Sequence, residues 1–378
     1  MRRIPVLIFF LLLTKAVSQV PTAEKLDASM SVGEVGLDGL VWTDPRESPV
    51  ELLGFEWIGQ DQVYRRLPLR PKWEIREAVS QLADHSAGGQ MKFRTDSKRI
   101  VLRVALAEPS GMYHMPATGQ SGFDLYVDTD NEPRYVKTVR FAARDSTYQA
   151  ELLDSDVGTM RNYTINFPLY NQVKSVMVGV DKGAILKEPK PMAFPGKIVI
   201  YGTSITQGGC VSRPGIAYTN VLSRKLDAPV VNLGFSGNGR GEPELAHLIN
   251  QIEDLRLIVL DYEANANKTI QGTIGTFVDI LRTEHPTTPI LIMSKTRYAA
   301  ATDGSEMYKL LMSNRDFQSE LVKNRKLKGD QNIYFLDGSE VLGDDYFECT
   351  VDGSHPSDLG SYRIAEALLS KIKDILKI

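Results

Sequence analysis

From residue 197 onward, short apolar runs alternate with helical stretches, and this rhythm constrains the fold more than any other feature of the chain. The runs cover residues 197–201, 229–233, 257–261, 290–293 and 333–336. Between them lie segments with apolar residues at helical spacing. These are 218–226, 242–252 with Leu245, Leu248, Ile249 and Ile252 on one face, 272–284, 306–327 and 359–376. Continuously apolar strands are buried on both faces, and parallel neighbours need crossover connections. The order therefore predicts a parallel sheet wrapped by helices, a three-layer α/β fold of the flavodoxin-like kind. Ligands of such open sheets sit beyond the carboxyl ends of the strands.

The first half has another rhythm. Residues 99–104, 123–127, 136–141 and 175–180 are short runs of strand character separated by Gly, Pro, Asp and Asn. The one amphipathic helix expected here spans 72–82, where Trp73, Ile75, Ala78 and Leu82 recur at helical spacing. Many short strands with turn signals predict an all-β sandwich of the jelly-roll sort. Lys187-Glu188-Pro189-Lys190-Pro191, with Pro195 and Gly196, reads as a linker. A chain of 378 residues holds two domains, expected at 19–195 and 196–378.

Arg2 and Arg3, an apolar run from Ile4 to Leu13 and then Ala16-Val17-Ser18 have the make-up of a cleaved export signal. Residues 1–18 are the expected leader, about ten apolar residues being too few to cross ~30 Å of hydrocarbon. The mature chain is then expected outside the cytoplasm, secreted or periplasmic, without stable membrane insertion. Lysine and arginine total 44 against 47 acidic residues, a net charge of −3. With no basic stripe, nucleic acid is not an expected partner.

Chemistry-bearing residues gather at the predicted strand ends. The first strand runs into Gly202-Thr203-Ser204, which puts a hydroxyl at a strand-to-loop turn. The second enters the glycine-rich Gly234-Phe235-Ser236-Gly237-Asn238-Gly239, where backbone amides can approach a ligand closely. The third ends in Asp261-Tyr262-Glu263-Ala264-Asn265-Ala266-Asn267, which supplies a carboxamide. Before the closing helix stands Asp352-Gly353-Ser354-His355-Pro356, a spacing that lets a carboxylate orient an imidazole toward a serine. Each feature alone is an ordinary turn or cap.

In this order they resemble the SGNH hydrolase superfamily, the GDSL-like lipases and acylhydrolases, over about 196–378. Gly122-Phe123-Asp124-Leu125-Tyr126 is similar to the Gly-x-Asp-Leu-Tyr motif of the β-rich domain that precedes the hydrolase in one bacterial branch. The resemblance implies Ser204 as nucleophile, His355 as base and Asp352 as its orienter. It implies an oxyanion hole made by the amides of Ser204 and Gly237 and the side chain of Asn265. Two positions depart from the pattern. Thr203 stands where the family has Asp, and Glu263-Ala264-Asn265-Ala266 replaces Gly-x-Asn-Asp, which leaves Asn267 as an alternative to Asn265.

No metal or organic cofactor is implied. His85 and His114 fall in the β-rich half, where surface or interface roles are expected; His247 and His285 fall on helices. Tyr113, His114, Arg240, Glu242, Arg297 and Tyr298 are candidates to line the pocket. Cys210 and Cys349, the two cysteines, flank the motifs. In an exported chain a disulfide between them is permitted, and it would tether the serine loop to the histidine loop. The alternative is two buried thiols that never meet. The expected activity is hydrolysis of short acyl esters, acetyl above all, on carbohydrates or acylated small molecules. A general short-chain carboxylesterase or lipase is the second reading, and a non-catalytic glycan-binding protein the third.

Overall fold

Ten strands lie in the first half of the computed structural model, which describes residues 22–27, 30–32, 35–129 and 132–378. The expected leader falls outside the described residues. Residues 1–34 are a unit by themselves, with one helical turn at Ala23–Leu26; residues 35–378 form the second unit.

The strands are β1 (Leu40–Thr43), β2 (Glu51–Leu53), β3 (Gln90–Thr95), β4 (Arg99–Leu106), β5 (Asp124–Thr129), β6 (Glu132–Thr138), β7 (Thr147–Asp154), β8 (Arg161–Asn166), β9 (Val173–Asp181) and β10 (Leu186–Lys187). They form two antiparallel sheets, β1-β9-β4-β7 and β10-β3-β8-β5-β6, with β2 pairing β3. Alternate residues of both sheets point into one core: Phe93, Leu125 and Ile165 from one, Leu102, Leu152 and Val178 from the other, all fully buried. The period-two alternation is the physical reason that a sandwich forms here.

The expected helix over 72–82 is shorter than its pattern. Helix α1 is Glu77–Ala83, and Arg76 before it is extended. Trp73 instead stacks on His247 at 4.8 Å, and Arg76 binds Asn238 and Glu242. Tertiary contacts outweigh helical periodicity over those residues.

The second half follows its predicted order. Strands β11 (Lys197–Gly202), β12 (Val230–Gly234), β13 (Leu255–Asp261), β14 (Ile290–Met293) and β15 (Ile333–Leu336) form a parallel sheet in the order β12-β11-β13-β14-β15. Helices α2 (Tyr218–Leu226), α3 (Pro243–Ile249), α4 (Ile270–Glu284), α5 (Glu306–Leu327) and α6 (Asp358–Leu376) cover it. Strand β11 shows why three layers result. Val199 and Tyr201 point into one core with α3, α4 and α5, while Ile198 and Ile200 enter the other with α2 and α6. Burying each such side chain contributes ~1.5–3 kcal/mol; Ile200→Ala would cost about 2–5 kcal/mol. The strand order reverses at β11 and β13, the place where such a sheet opens a crevice for ligands.

The proline-rich stretch between the halves is pinned rather than loose. Arg94 donates to the Glu188 carbonyl, the Lys190 amide to Asn162 and the Ala193 amide to Asp227. Among the described residues no helix is long and apolar enough to cross a membrane.

Candidate active site

At the end of β11 the chain turns at Thr203, and Ser204 opens a single helical turn, Ser204–Gln207. Thr203 caps it: its hydroxyl accepts from the Ile205 amide at 3.3 Å, and the Thr206 hydroxyl accepts from the Thr203 amide at 3.2 Å. The threonine that departs from the family pattern thus performs the capping an aspartate could perform. The Ser204 amide, first in the turn, has no helical acceptor. Beneath it, Thr206 and Tyr218 donate to the same oxygen of Asp261, at 3.0 and 2.8 Å. Burial pushes the Asp261 carboxyl up to about 7, although both hydroxyls oppose the rise.

The loop before α6 brings the histidine to this serine. Ser204 Oγ lies 2.9 Å from His355 Nε2, and His355 Nδ1 lies 2.7 Å from Asp352 Oδ2. An ionised carboxylate only accepts, so in the neutral ring Nδ1 carries the proton and Nε2 is left to accept from the serine. The other Asp352 oxygen accepts from the amides of His355 and Ser354, at 2.8 and 3.1 Å. Partial burial disfavours its charge, but these donors more than offset that and hold the carboxyl below its usual range.

Three donors have no acceptor among the described residues: the amides of Ser204 and Gly237 and the carboxamide nitrogen of Asn265. Gly237 has a left-handed backbone, φ +67°, which glycine adopts without steric cost. Gly239 packs so closely that a β-carbon would fall 2.0 Å from the Gly202 carbonyl oxygen. Its amide donates to Asn265 Oδ1 at 3.2 Å, which fixes the carboxamide with its nitrogen end free. The turn bearing Asn265 is anchored by buried Glu263, which accepts from the Lys295 amide and from Gln318, both at 2.7 Å. Asn267 is held elsewhere: its carbonyl accepts from Asn314 of α5.

The β-rich half braces this edge. Tyr170 donates to the Ser204 carbonyl, and Gln207 bonds both His85 Nδ1 and the Leu169 carbonyl. Arg66, fully buried, donates to the Gly234 and Asn232 carbonyls at the head of the glycine loop, and to those of His85 and Leu82. Asp124 of the Gly-x-Asp-Leu-Tyr motif accepts from Arg213, the Gly215 amide and Asn166, at 2.7, 2.8 and 2.7 Å. Through Arg213 and Gly215 it sets the course of the loop that follows the serine.

His114, expected at a surface or interface, stands beside the triad-like residues. Its ring centroid is 5.6 Å from that of His355, and Tyr113, 89% exposed, stacks on it at 4.3 Å. His114 is thus one of the pocket candidates that does reach this edge, whereas no local signal in the sequence marks Arg66 or Tyr170, because their partners lie far along the chain. Other pocket candidates are bound up structurally. Glu242 takes Arg76 and Tyr201, Arg240 donates to the Gly237 carbonyl, Arg297 is tied to Asp303, and Tyr298 lies under Lys295.

The two thiols do not form the expected disulfide; both cysteines are buried and free. Cys210 faces His114, Asp352 and His355, whereas Cys349 contacts the Leu342 carbonyl and Arg363 within the other core. Each sulfur is packed into its own surroundings. Burial pushes the Cys210 thiol up to about 12, so at neutral pH it is not a thiolate nucleophile.

Residues 196–373 match the model of the GDSL-like lipase/acylhydrolase family, and residues 40–186 match that of the N-terminus of SGNH-hydrolase-type esterases. Residues 196–373 belong to the GDSL-like lipase/acylhydrolase family. A protein of Bacteroides ovatus ATCC 8483 assigned as a GDSL-like lipase superposes with a TM-score of 0.82 at 29% identity, covering 90% of this chain and 98% of its own. The salicylyl-acyltransferase SsfX3 of a tetracycline biosynthetic pathway superposes at 0.71 with 19% identity, covering 90% and 98%. A family two carbohydrate esterase of Cellvibrio japonicus does so at 0.56 with 15% identity, covering 89% and 98%. The last two share the fold. No curated protein matches the chain significantly.

In an acylhydrolase such an edge has a definite chemical capacity. A serine hydroxyl beside an imidazole acceptor is a nucleophile with its base in place, and free donors nearby can receive the negative charge of a tetrahedral intermediate. A cavity of about 420 Å³ between β3, β8, residues 190–193 and α2 shares no residue with this edge and holds no serine–histidine pair.

Proposed function

We propose that this protein is an exported serine esterase that removes short acyl groups, acetyl above all, from carbohydrate hydroxyls. The observation that carries the reading is the hydrogen-bonded series Ser204–His355–Asp352 at the same strand edge as three free donors. His355 takes the Ser204 proton as Oγ attacks the ester carbonyl, and Asp352 stabilises the imidazolium. The amides of Ser204 and Gly237 and the Asn265 side chain receive the oxyanion. Collapse expels the alcohol, protonated by His355, and leaves an acyl-serine that water then cleaves in the same way.

Two observations support a sugar as the alcohol. The solved structures of similar fold include family two carbohydrate esterases, one from Clostridium thermocellum in complex with cellohexaose. Next to His355, Tyr113 presents an almost fully exposed ring, a flat apolar surface of the kind on which a sugar's C–H face can rest. Residues 1–18 as an export leader place the enzyme where polysaccharides are met.

Hydrolysis of p-nitrophenyl acetate, longer p-nitrophenyl esters and acetylated oligosaccharides by the mature protein and by Ser204→Ala tests the reading. Acetate should be the best acyl group, oligosaccharides should release acetate, and the variant should lose about 10⁴–10⁶ in kcat. Preference for long acyl chains would favour a lipase instead. Equal background rates from both proteins would remove the esterase reading in favour of glycan binding.

A further inference from the structure

Beside the triad-like series lies a set of metal-ligating side chains that the hydrolysis does not use. His114, Cys210, Asp352 and His355 each offer a ligand atom, and these atoms all lie within 4.8 Å of one another. Two of the four have no other employment. His114 Nδ1 is buried without a hydrogen-bond partner, an arrangement that costs stability and marks a site for something to bind. The Cys210 sulfur makes no hydrogen bond among the described residues, and the residue is held at φ +74°, a region that side chains with a β-carbon seldom enter.

We infer that His114, Cys210, Asp352 and His355 form a site for a thiophilic divalent cation, Zn²⁺ above all, whose binding switches the esterase off. On coordination Cys210 gives up its thiol proton to solvent, the metal replacing it on sulfur; the resulting thiolate and imidazole donors select Zn²⁺ over Mg²⁺ or Ca²⁺, which prefer oxygen. In a tetrahedral Zn²⁺ site the donors stand roughly 3.3–3.7 Å apart, so small side-chain rotations complete this one. Coordination consumes a lone pair or displaces a proton of His355. Through Nε2 it removes the acceptor for the Ser204 proton; through Nδ1 it breaks the bond to Asp352. Either way the base is lost while the fold stays intact. His114 comes from the β-rich half, which gives that half a direct part in control. The switch rests on the esterase reading, whereas the binding site does not.

Chelator-treated protein titrated with ZnCl₂ by calorimetry, with p-nitrophenyl acetate hydrolysis followed in parallel, tests both parts. The expected result is one equivalent bound, activity lost in proportion, and full recovery on adding EDTA. Ser204→Ala should bind Zn²⁺ like the wild type, because its hydroxyl is not a ligand. His114→Gln and Cys210→Ser, folded by circular dichroism, should weaken Zn²⁺ binding by about tenfold or more, and should weaken inhibition equally when each variant is compared with its own metal-free rate. Mg²⁺ should neither bind nor inhibit. Absence of binding by the wild type, or equal affinity in both variants, would overturn the site. Binding without inhibition would overturn the switch. If no ester is cleaved at all, the calorimetric arm still decides the site.

Discussion

Tyr170, from the β-rich half, donates a 3.3 Å hydrogen bond to the carbonyl of Ser204. That carbonyl also receives the amides of Gly208 and Gly209, at 3.1 and 2.7 Å, so the backbone of the proposed nucleophile is held from two directions. Tyr170→Phe should therefore cost only the net value of one buried bond, ~0.5–1.5 kcal/mol. Urea denaturation should show that loss, and kcat should fall less than tenfold with KM unchanged. A collapse of activity with unchanged stability would mean that Tyr170 takes part in the chemistry.

Asn265 and Asn267 are separated by one experiment. The Asn265 carboxamide is oriented by the Gly239 amide, whereas Asn267 is tied to α5. Loss of one oxyanion donor costs ~3 kcal/mol of transition-state stabilisation, about a hundredfold in rate. Asn265→Ala should lower kcat by that factor with little change in KM, and Asn267→Ala should stay within a few-fold of wild type. The reverse ranking would move the carboxamide donor to Asn267.

Asp124 is fully buried and accepts from Arg213, the Gly215 amide and Asn166. Asp124→Ala leaves the Arg213 guanidinium with the Tyr126 hydroxyl but no carboxylate and the Gly215 amide without its acceptor, a loss of about 3–5 kcal/mol. Thermal denaturation should show a markedly lower Tm. Asp124→Asn, which keeps an acceptor, should recover part of it.

Asp261 gives a pH signature. Its carboxyl is raised by burial from an ordinary 3.8 to about 7. The folded protein then binds the proton more tightly than the unfolded chain, so this contribution to stability is fully present below pH 3.8. It is lost as pH rises through 7, to a total of at most ~4 kcal/mol. Asp261→Asn keeps an oxygen for Tyr218 and Thr206 but cannot ionise. The Tm of the variant relative to wild type should rise between pH 4 and 7 and level off above; a difference independent of pH would show that Asp261 is ionised throughout.

What the sequence revealed and what it hid follow from the range of the interactions. Strand β11 is legible because every residue from 198 to 201 is apolar, and the alternating pattern puts Ser204, Gly237 and Asn265 after strands and His355 before the last helix, while the roles proposed for them come from the family resemblance. Asp124 sits in the Gly-x-Asp-Leu-Tyr motif, yet its task, holding the loop at Arg213, needs a fold to be seen. Helix α1 was misplaced because Trp73 and Arg76 answer to His247 and Glu242 rather than to their neighbours. The cysteines lay near the right motifs, but proximity in a loop does not fix where a sulfur points.

Arg66 has a consequence for how the chain is made. Its guanidinium is wholly buried, which lowers its pKa to about 9, and its acceptors include carbonyls of Asn232 and Gly234. Those residues leave the ribosome long after Arg66 does. Until they arrive, a positive charge in the nascent β-rich half has only the Leu82 and His85 carbonyls of the four oxygens that make its burial tolerable. That half must wait for the α/β sheet before it can close, and a gene fragment encoding either half alone should yield an incomplete protein rather than a portable module.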